Sequence, residues 1–543
     1  MKKTIHLGRV LKIALCFCVI VFASAPMRHG LQASAASSVQ TIRVGLESHF
    51  LEQSQIIVHA NVLEVGTWVS GHFHVSGILS TNNNFVAVPN NSAFVRISQT
   101  FSSLTHAQQE AGLHIGSIPA LLYNGSWGLY LAADNLEHAH QLAASLGGVA
   151  ISSGNNRVSV SANGQIVLIS DNGSVNLQVR DIQGITSLGV RRYRGVIELA
   201  RFRGQNITAV NVLNLEDYLL SVVPSEMPAG WHMEALKAQA VAARTYAAFR
   251  LGSLAERGYD LCDTVFSQVY LGVSNEHQNT TYAVNATRGL MMFHNNQLIE
   301  AVYFSSSGGF TENSENVWIE ARPYLRSVAD IYDTTGLQWT RSLSLTQLTQ
   351  LLSTHNINIG NASGVQLTTT ANGRVQEVMI TGTNGNHTVR SEAIRSFFTP
   401  SLESRNFSIQ GGTAAGSVVL PGTNATTSSA GRLAHVRTNS GTFNVEPSGL
   451  QIVTATGNAV LGTGNIVVAS RDGNFALQTT SGQVAAPGQT AQMISSTGYN
   501  IIFVGRGWGH GVGMSQHGAN GMAAAGYNFR QILHHYYSGV DIR

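Results

Sequence analysis

The chain has 543 residues, too many for one ordinary core, so two or more domains are expected. Its 55 glycines, 43% hydrophobic residues and 11% charged residues suit a globular protein rich in strands and loops and exclude a disordered one. Five of the 32 basic residues and no acid fall within residues 1–35; the remainder carries 27 basic against 29 acidic residues, a balance of −2 rather than the formal +3, so no nucleic-acid partner is inferred.

In residues 1–35, Lys2, Lys3, Arg9 and Lys12 precede an apolar stretch, Ile13–Ala25, and the small-residue run Ala33-Ser34-Ala35. This is the pattern of a secretory signal peptide. The apolar stretch falls short of the roughly 20 residues that span a bilayer. Cys16 and Cys18 would leave with it, and Cys262 alone excludes an intrachain disulfide. "TIRVGLE" (Thr41–Glu47) reads as a strand within an N-terminal β segment, 36–89. Over 90–150, "FVRISQ", "THAQQEAGL", "PALLYN", "WGLYLA" and "LEHAHQLAASL" alternate as strand, helix, strand, strand, helix, a βαββα rhythm that predicts a small α+β domain. "GQIVLISDNGSVNLQ" (Gly164–Gln178) and "GNIVVASRDGNFALQ" (Gly464–Gln478) each read as strand, Asn-Gly or Asp-Gly turn, strand, a hairpin signal, by duplication or by convergence.

In "LEDYLLSVV", Leu215, Tyr218, Leu219 and Val222 share one helical face. In "MEALKAQAVAARTYAAFRL", Met233, Leu236, Ala240, Ala243 and Ala247 form a stripe whose alanines permit close packing. Gly411–Thr490 is rich in Gly, Ser, Thr, Asn and Val and reads as part of a β-rich insertion, 411–500. Phe529, Ile532, Leu533, Tyr536 and Tyr537 then recur at helical spacing in a helix that closes the chain.

Four stretches could carry chemistry. Glu226 lies between Pro224 and Pro228 in "VVPSEMPAGW". Each proline pushes its predecessor away from helix, which predicts a stiff connection between two helices. Met227 and Trp231 could desolvate the carboxyl, and a desolvated glutamate can hold a proton as a general acid must. The alternatives are a solvated loop glutamate or a cap on the next helix. "AVYFSSSGGFTENSENVW" (Ala301–Trp318) offers hydroxyls and amides suited to a sugar polymer, or plain turn chemistry; no G-x-S-x-G elbow is present. Cys262, with Asp260 and Asp263, lacks the ligand number of a zinc site, and no metal or cofactor is expected. "GRGWGHGVGMSQHGA" (Gly505–Ala519) has glycine at every second position through Gly513. Period two predicts a strand with five glycines on one face and Arg506, Trp508, His510, Val512 and Met514 on the other.

Together, "LEDYLLSVVPSEMPAGWHMEALKAQAVAARTYA", "QVYLG", "FSSSGGFTENSENVW", "PYLRSV" and "GRGWGHGVGMSQHGANGMA" resemble the stage II sporulation protein D family (SpoIID/LytB domain), over about Tyr193–Asp330 and again from Gly505 to Arg543. The resemblance implies an α+β fold: a β-rich catalytic domain with a few helices, over 155–410 and 501–543. The βαββα segment resembles the sporulation-related repeat (SPOR domain), which binds peptidoglycan; an unrelated small sandwich is the alternative.

The resemblance further implies a secreted lytic transglycosylase of the cell envelope, or of the space between forespore and mother cell. It would cleave peptidoglycan glycan strands stripped of stem peptides and leave 1,6-anhydro-muramyl ends, with Glu226 as general acid and then base. Arg244, Tyr246, Gln268, Tyr270, Ser305, Ser306, His510 and Gln516 are the candidates for the groove, with His510 alternatively orienting Glu226. Some members hold zinc on a segment like C-D-T-x-H-C-Q; here Phe266 and Ser267 stand where His and Cys would be. The alternative function is a non-catalytic, wall-binding enhancer of a cell-wall amidase.

Overall fold

The computed structural model describes residues 40–410 and 500–543 except 172, 203 and 205, and only short stretches of backbone between 411 and 499. The expected signal peptide and the second hairpin, Gly464–Gln478, lie outside the described residues. The fold is mixed α+β and rich in strands. Among the described residues no helix is long and apolar enough to cross a membrane.

Two large sheets form the N-terminal body. A seven-stranded sheet runs in the order Leu261–Cys262, Thr41–Gly45, Thr208–Asn214, Val196–Ala200, Leu177–Asp181, Val62–Val69, His72–Ser80. A ten-stranded sheet contains the βαββα segment (Ala93–Phe101, Leu104–Ala111, Ser117–Leu121, Trp127–Ala133, Leu136–Leu146). It also takes in Ile56–His59, Phe85–Asn90, Val149–Ile151, Arg157–Ala162, Gln165–Asp171, Thr186–Leu188 and Arg191–Tyr193. The βαββα segment therefore shares its ladder with strands before and after it. One core, including Val44, Val58, Val65, Phe85, Val160, Leu168, Val179 and Leu213, joins both sheets.

The hairpin expected over Gly164–Gln178 does not form. Gln165–Asp171 pairs with Arg157–Ala162, whereas Leu177–Asp181 pairs with Val62–Val69 and Val196–Ala200 in the other sheet. The connection crosses between layers because both flanking strands bury residues in the shared core. The hairpin lies one strand earlier. Ala162 faces Gln165 across Asn163-Gly164, which take φ of 51° and 79°, the positive values a tight two-residue turn demands.

The alanine-rich helix Met233–Phe249 is buried on more sides than the single expected stripe. Ala240, Ala243 and Ala247 pack into the first core; Ala235, Leu236, Ala238, Val241 and Ala242 pack into a second, with Met514, Met522, Ile532, Leu533 and Tyr536. A helix clamped between two layers has no face for long side chains, which explains the alanines. The second core is closed by helices Gln516–Ala524 and Phe529–Tyr536, the latter opened by a capping box between Asn528 and Gln531. A third core gathers Trp339, Leu348, Val378, Phe407 and Phe503. There Asn500–Arg506 lies between Gln338–Ser344 and Phe407–Gln410 in a three-stranded sheet.

Candidate active site around Glu226

Helix Leu215–Glu226 buries Leu215, Tyr218, Leu219, Val222 and Val223 and carries Pro224 inside its last turn. Glu226 is thus the final residue of a helix, not part of a linker. A proline near the end removes one ladder bond, and the chain leaves the helix at Met227, which is extended and fully buried. The glutamate is half-buried. Its Oε1 accepts the Val269 N–H at 2.8 Å. Burial raises its pKa above the ordinary carboxylate value, opposed by the Val269 hydrogen bond and by the Gln516 amide beside it. Gln516 is buried, and its Nε2 meets no hydrogen-bond geometry with any described group. It lies near enough to favour the charged carboxylate without making a well-formed bond to it.

Behind the carboxyl stands a fixed lattice. Tyr218 donates to Gln268 Oε1 at 3.1 Å, and Gln268 Nε2 donates to Tyr303 Oη at 2.9 Å and to the Ala243 carbonyl at 3.3 Å. The Tyr246 ring meets Tyr303 edge-on at 6.5 Å. Burial, and then the nearby Glu226 charge, hold Tyr218 and Tyr303 well above the ordinary tyrosine pKa, so both stay protonated. Tyr270 lies one layer deeper, its ring 5.1 Å from Tyr218 and its hydroxyl on Asn211 Oδ1 at 2.7 Å. Tyr303 was missed in sequence; the signal is an aromatic directly ahead of the Ser/Gly loop.

The glycine ribbon differs from its expected form. The strand Asn500–Arg506 ends where the alternation begins in earnest, and Gly507, Gly509, Gly511 and Gly513 all have positive φ, between 75° and 109°. The segment is a chain of left-handed kinks, not a strand with a naked and a furnished face. Val512 and Met514 are fully buried while Trp508 is 52% exposed. A Cβ at Gly513 would lie 2.1 Å from the Val302 carbonyl oxygen, so that position requires glycine for both conformation and space.

The kinks seat His510 between Phe304 and Trp318, with ring centroids at 5.4 and 5.2 Å. Its Nε2 faces the Tyr303 carbonyl at 3.1 Å and its Nδ1 accepts the Val512 N–H at 3.1 Å, which selects the neutral ring with the proton on Nε2. Burial first, then the charge of Arg395, pushes its pKa down to about 3. Both nitrogens are engaged, so His510 holds the backbone of Tyr303 and does not offer a free nitrogen to the groove.

The remaining candidates divide. Arg244 is fully buried, paired bidentately with Glu216 at 2.8 Å, with its remaining N–H groups on the Leu290 and Val284 carbonyls. Ser306 Oγ donates to Asp333 at 2.7 Å, beside the Ser307 N–H at 2.6 Å on the same oxygen. Half-buried Ser305 accepts the His517 N–H at 3.0 Å through its carbonyl. His517 in turn packs on Trp231 at 4.7 Å. Glu226, Gln516, Gln268 and Tyr246 come together; the two serines brace the surrounding loop.

The residues do not fit zinc. Cys262 is buried, its Sγ 3.2 Å from Thr264 Oγ1 and 3.4 Å from Ser267 Oγ. Asp260 accepts from the Arg43 and Gly252 N–H groups, and Asp263 from Ser48 and Arg191. No group of three His, Cys, Asp or Glu side chains is poised for a metal among the described residues.

Residues 203–294, which span the helix of Glu226 and the turn that holds it, match the family model SpoIID, Stage II sporulation protein. An amidase enhancer of Bacillus subtilis is 32% identical over 328 residues, covering 60% of this chain and 40% of that protein. The stage II sporulation protein D of Bacillus amyloliquefaciens is 29% identical over 358 residues, 63% of this chain and 77% of its own length. That of Bacillus subtilis is 29% identical over 363 residues, 64% and 79% of the two chains. Residues 203–294, with Glu226 among them, therefore form a region similar to the SpoIID family.

Proposed function

We propose that the protein is a peptidoglycan lytic transglycosylase acting on glycan strands without stem peptides. The observation that carries this is the state of Glu226: half-buried, its proton favoured by burial, with no other carboxylate among the described residues bearing on its charge. Ordinary glycosidases need two carboxyl groups, one acid and one base or nucleophile. One suffices where the sugar supplies its own nucleophile. Glu226 protonates the glycosidic oxygen as its bond to C1 of the muramoyl residue breaks. The C6 hydroxyl of the same sugar bonds to C1, and the Glu226 carboxylate takes the hydroxyl proton, which restores the acid and leaves a 1,6-anhydro end. An intramolecular nucleophile can reach effective molarities of about 10⁵–10⁸ M, which makes a second carboxylate dispensable.

The relatives named for sporulation, with the amidase enhancer, support a sporulation-related role at the cell wall. The amidase enhancer supports a second reading, in which the protein binds wall or an amidase and cleaves nothing. The two separate in one experiment. Protein lacking residues 1–35 is incubated with peptide-free glycan strands, and products are read by mass spectrometry. The transglycosylase reading expects anhydro-muramyl ends from the wild type and a loss of at least about 100-fold in Glu226→Gln, the scale of a missing general acid. Equal yields from both would sink the role of Glu226; binding with no product would favour the enhancer.

A further inference from the structure

The turn that holds Glu226 has a second face. Its Val269 N–H binds the carboxyl, and four and three residues earlier Val265 and Phe266 stand 89% and 56% exposed. Three residues place the Cα atoms of Phe266 and Val269 within about 11 Å. The exposure is built in. The Ser267 N–H donates to the Thr264 carbonyl at 3.0 Å, closing a tight turn, and the Phe266 N–H reaches Thr264 Oγ1 at 3.3 Å. The Cys262 N–H donates to Ser267 Oγ at 3.1 Å, and the base of the turn is tied by Asp263 to Ser48. Hydroxyls and one thiol thus fix the segment, and a phenyl ring is held out in water at its tip.

Arg257 lies over that ring, its Cζ 5.6 Å from the centroid, and is anchored by Glu47 Oε1 at 2.8 Å through Nη1. Its side chain is 33% exposed. A guanidinium has five N–H donors in a fixed fork, so an edge remains for a second carboxylate. An open aromatic face beside a fixed cation suits an apolar face that carries an acid, and a sugar ring with a carboxylate presents both through its C–H face and its acid.

Resting on the transglycosylase reading, we propose that Phe266 and Arg257 form a recognition site for a muramoyl residue whose lactyl carboxylate is free. The ring stacks on Phe266 and the carboxylate pairs with Arg257. A stem peptide converts that carboxylate to an amide and removes the charge, so the pair reads whether a strand has been stripped.

The test measures binding in a Glu226→Gln background, with peptide-free glycan strands and with the same strands after their carboxylates are converted to amides. Phe266→Ala should weaken both by about tenfold, as loss of an aromatic contact does. Arg257→Gln should weaken only the acidic strands and erase the preference for them. Unchanged affinity in Phe266→Ala, or an equal loss for both ligands in Arg257→Gln, would overturn the site. Arg257→Lys, which keeps the charge, should restore part of the preference; its failure to do so, with an unchanged melting temperature, counts against it. These outcomes are independent of cleavage. Binding that behaves as expected while the wild type makes no anhydro ends leaves the site standing and removes the enzyme; cleavage unaffected by either variant does the reverse.

Discussion

Burying the Glu226 carboxyl costs the fold stability wherever that carboxyl must ionise. A carboxyl whose folded pKa is raised binds its proton more tightly in the folded state. Its contribution to stability is complete below the unfolded value, about 4.3, and is lost as pH rises through the raised folded value. Glu226→Gln keeps an oxygen for the Val269 N–H and removes the ionisation. The variant should therefore melt at the same or a higher temperature than wild type at pH 7, and the difference should close toward pH 4. His510 acts in the opposite direction: its depressed pKa contributes stability above about 6.5 that is lost as pH falls toward about 3. Both proteins share that histidine, so the difference between their melting curves isolates the glutamate. A deficit in the variant that is constant across the range would show that burial does not govern this carboxyl. As one alternative beside a solvated or a capping glutamate, a desolvated carboxyl was legible in sequence from its apolar neighbours, whereas the linker that the prolines suggested is the end of a helix. The confinement of the carboxyl by Val269 and Gln516 was not legible, because neither contact is local.

At the scale of elements, helices were read well where one periodic face meets one core, as in Leu215–Glu226 and Phe529–Tyr536. Periodicity failed where glycine supplied it. Alternation of glycine resembles a strand because spacing alone does not distinguish absence of a side chain on one face from a positive φ at every second residue. The distinction has a measurable edge. Gly513→Ala meets both a left-handed backbone and the Val302 carbonyl, and should cost about 2 kcal/mol or more in unfolding free energy. Gly526 has φ of 94° and nothing within 4 Å of its would-be Cβ, so Gly526→Ala carries the backbone term alone and should cost less. Equal costs in denaturant titrations would mean that the ribbon relaxes around the extra methyl. The misplaced hairpin has a related cause. Two Asn-Gly pairs lie nine residues apart, at Asn163 and Asn172, and the local signal does not say which flanking strands share a sheet.

Across the whole molecule, the candidate site is assembled from parts far apart in sequence. Glu226 and its turn lie in the segment that the family shares, while Gln516 and His510 follow the long stretch 411–499. Strand pairing explains how they return. Asn500–Arg506 is the middle strand of its sheet, paired residue by residue with Gln338–Ser344 on one side and Phe407–Gln410 on the other. Beyond it, Tyr303–Phe304 runs parallel to Met514–Ser515, and the rings of Phe304 and Trp318 close on His510 and that of Trp231 on His517. The C-terminal 44 residues are thus held by sheet, core and aromatic contacts at once. The chain need not be continuous for this to happen. Cleaved between 411 and 490, the protein should stay together as a two-piece assembly, and fragments 36–410 and 491–543 produced separately should find each other and recover whatever activity the intact chain has. Each piece alone should have none, since one holds the acid and the other the amide beside it.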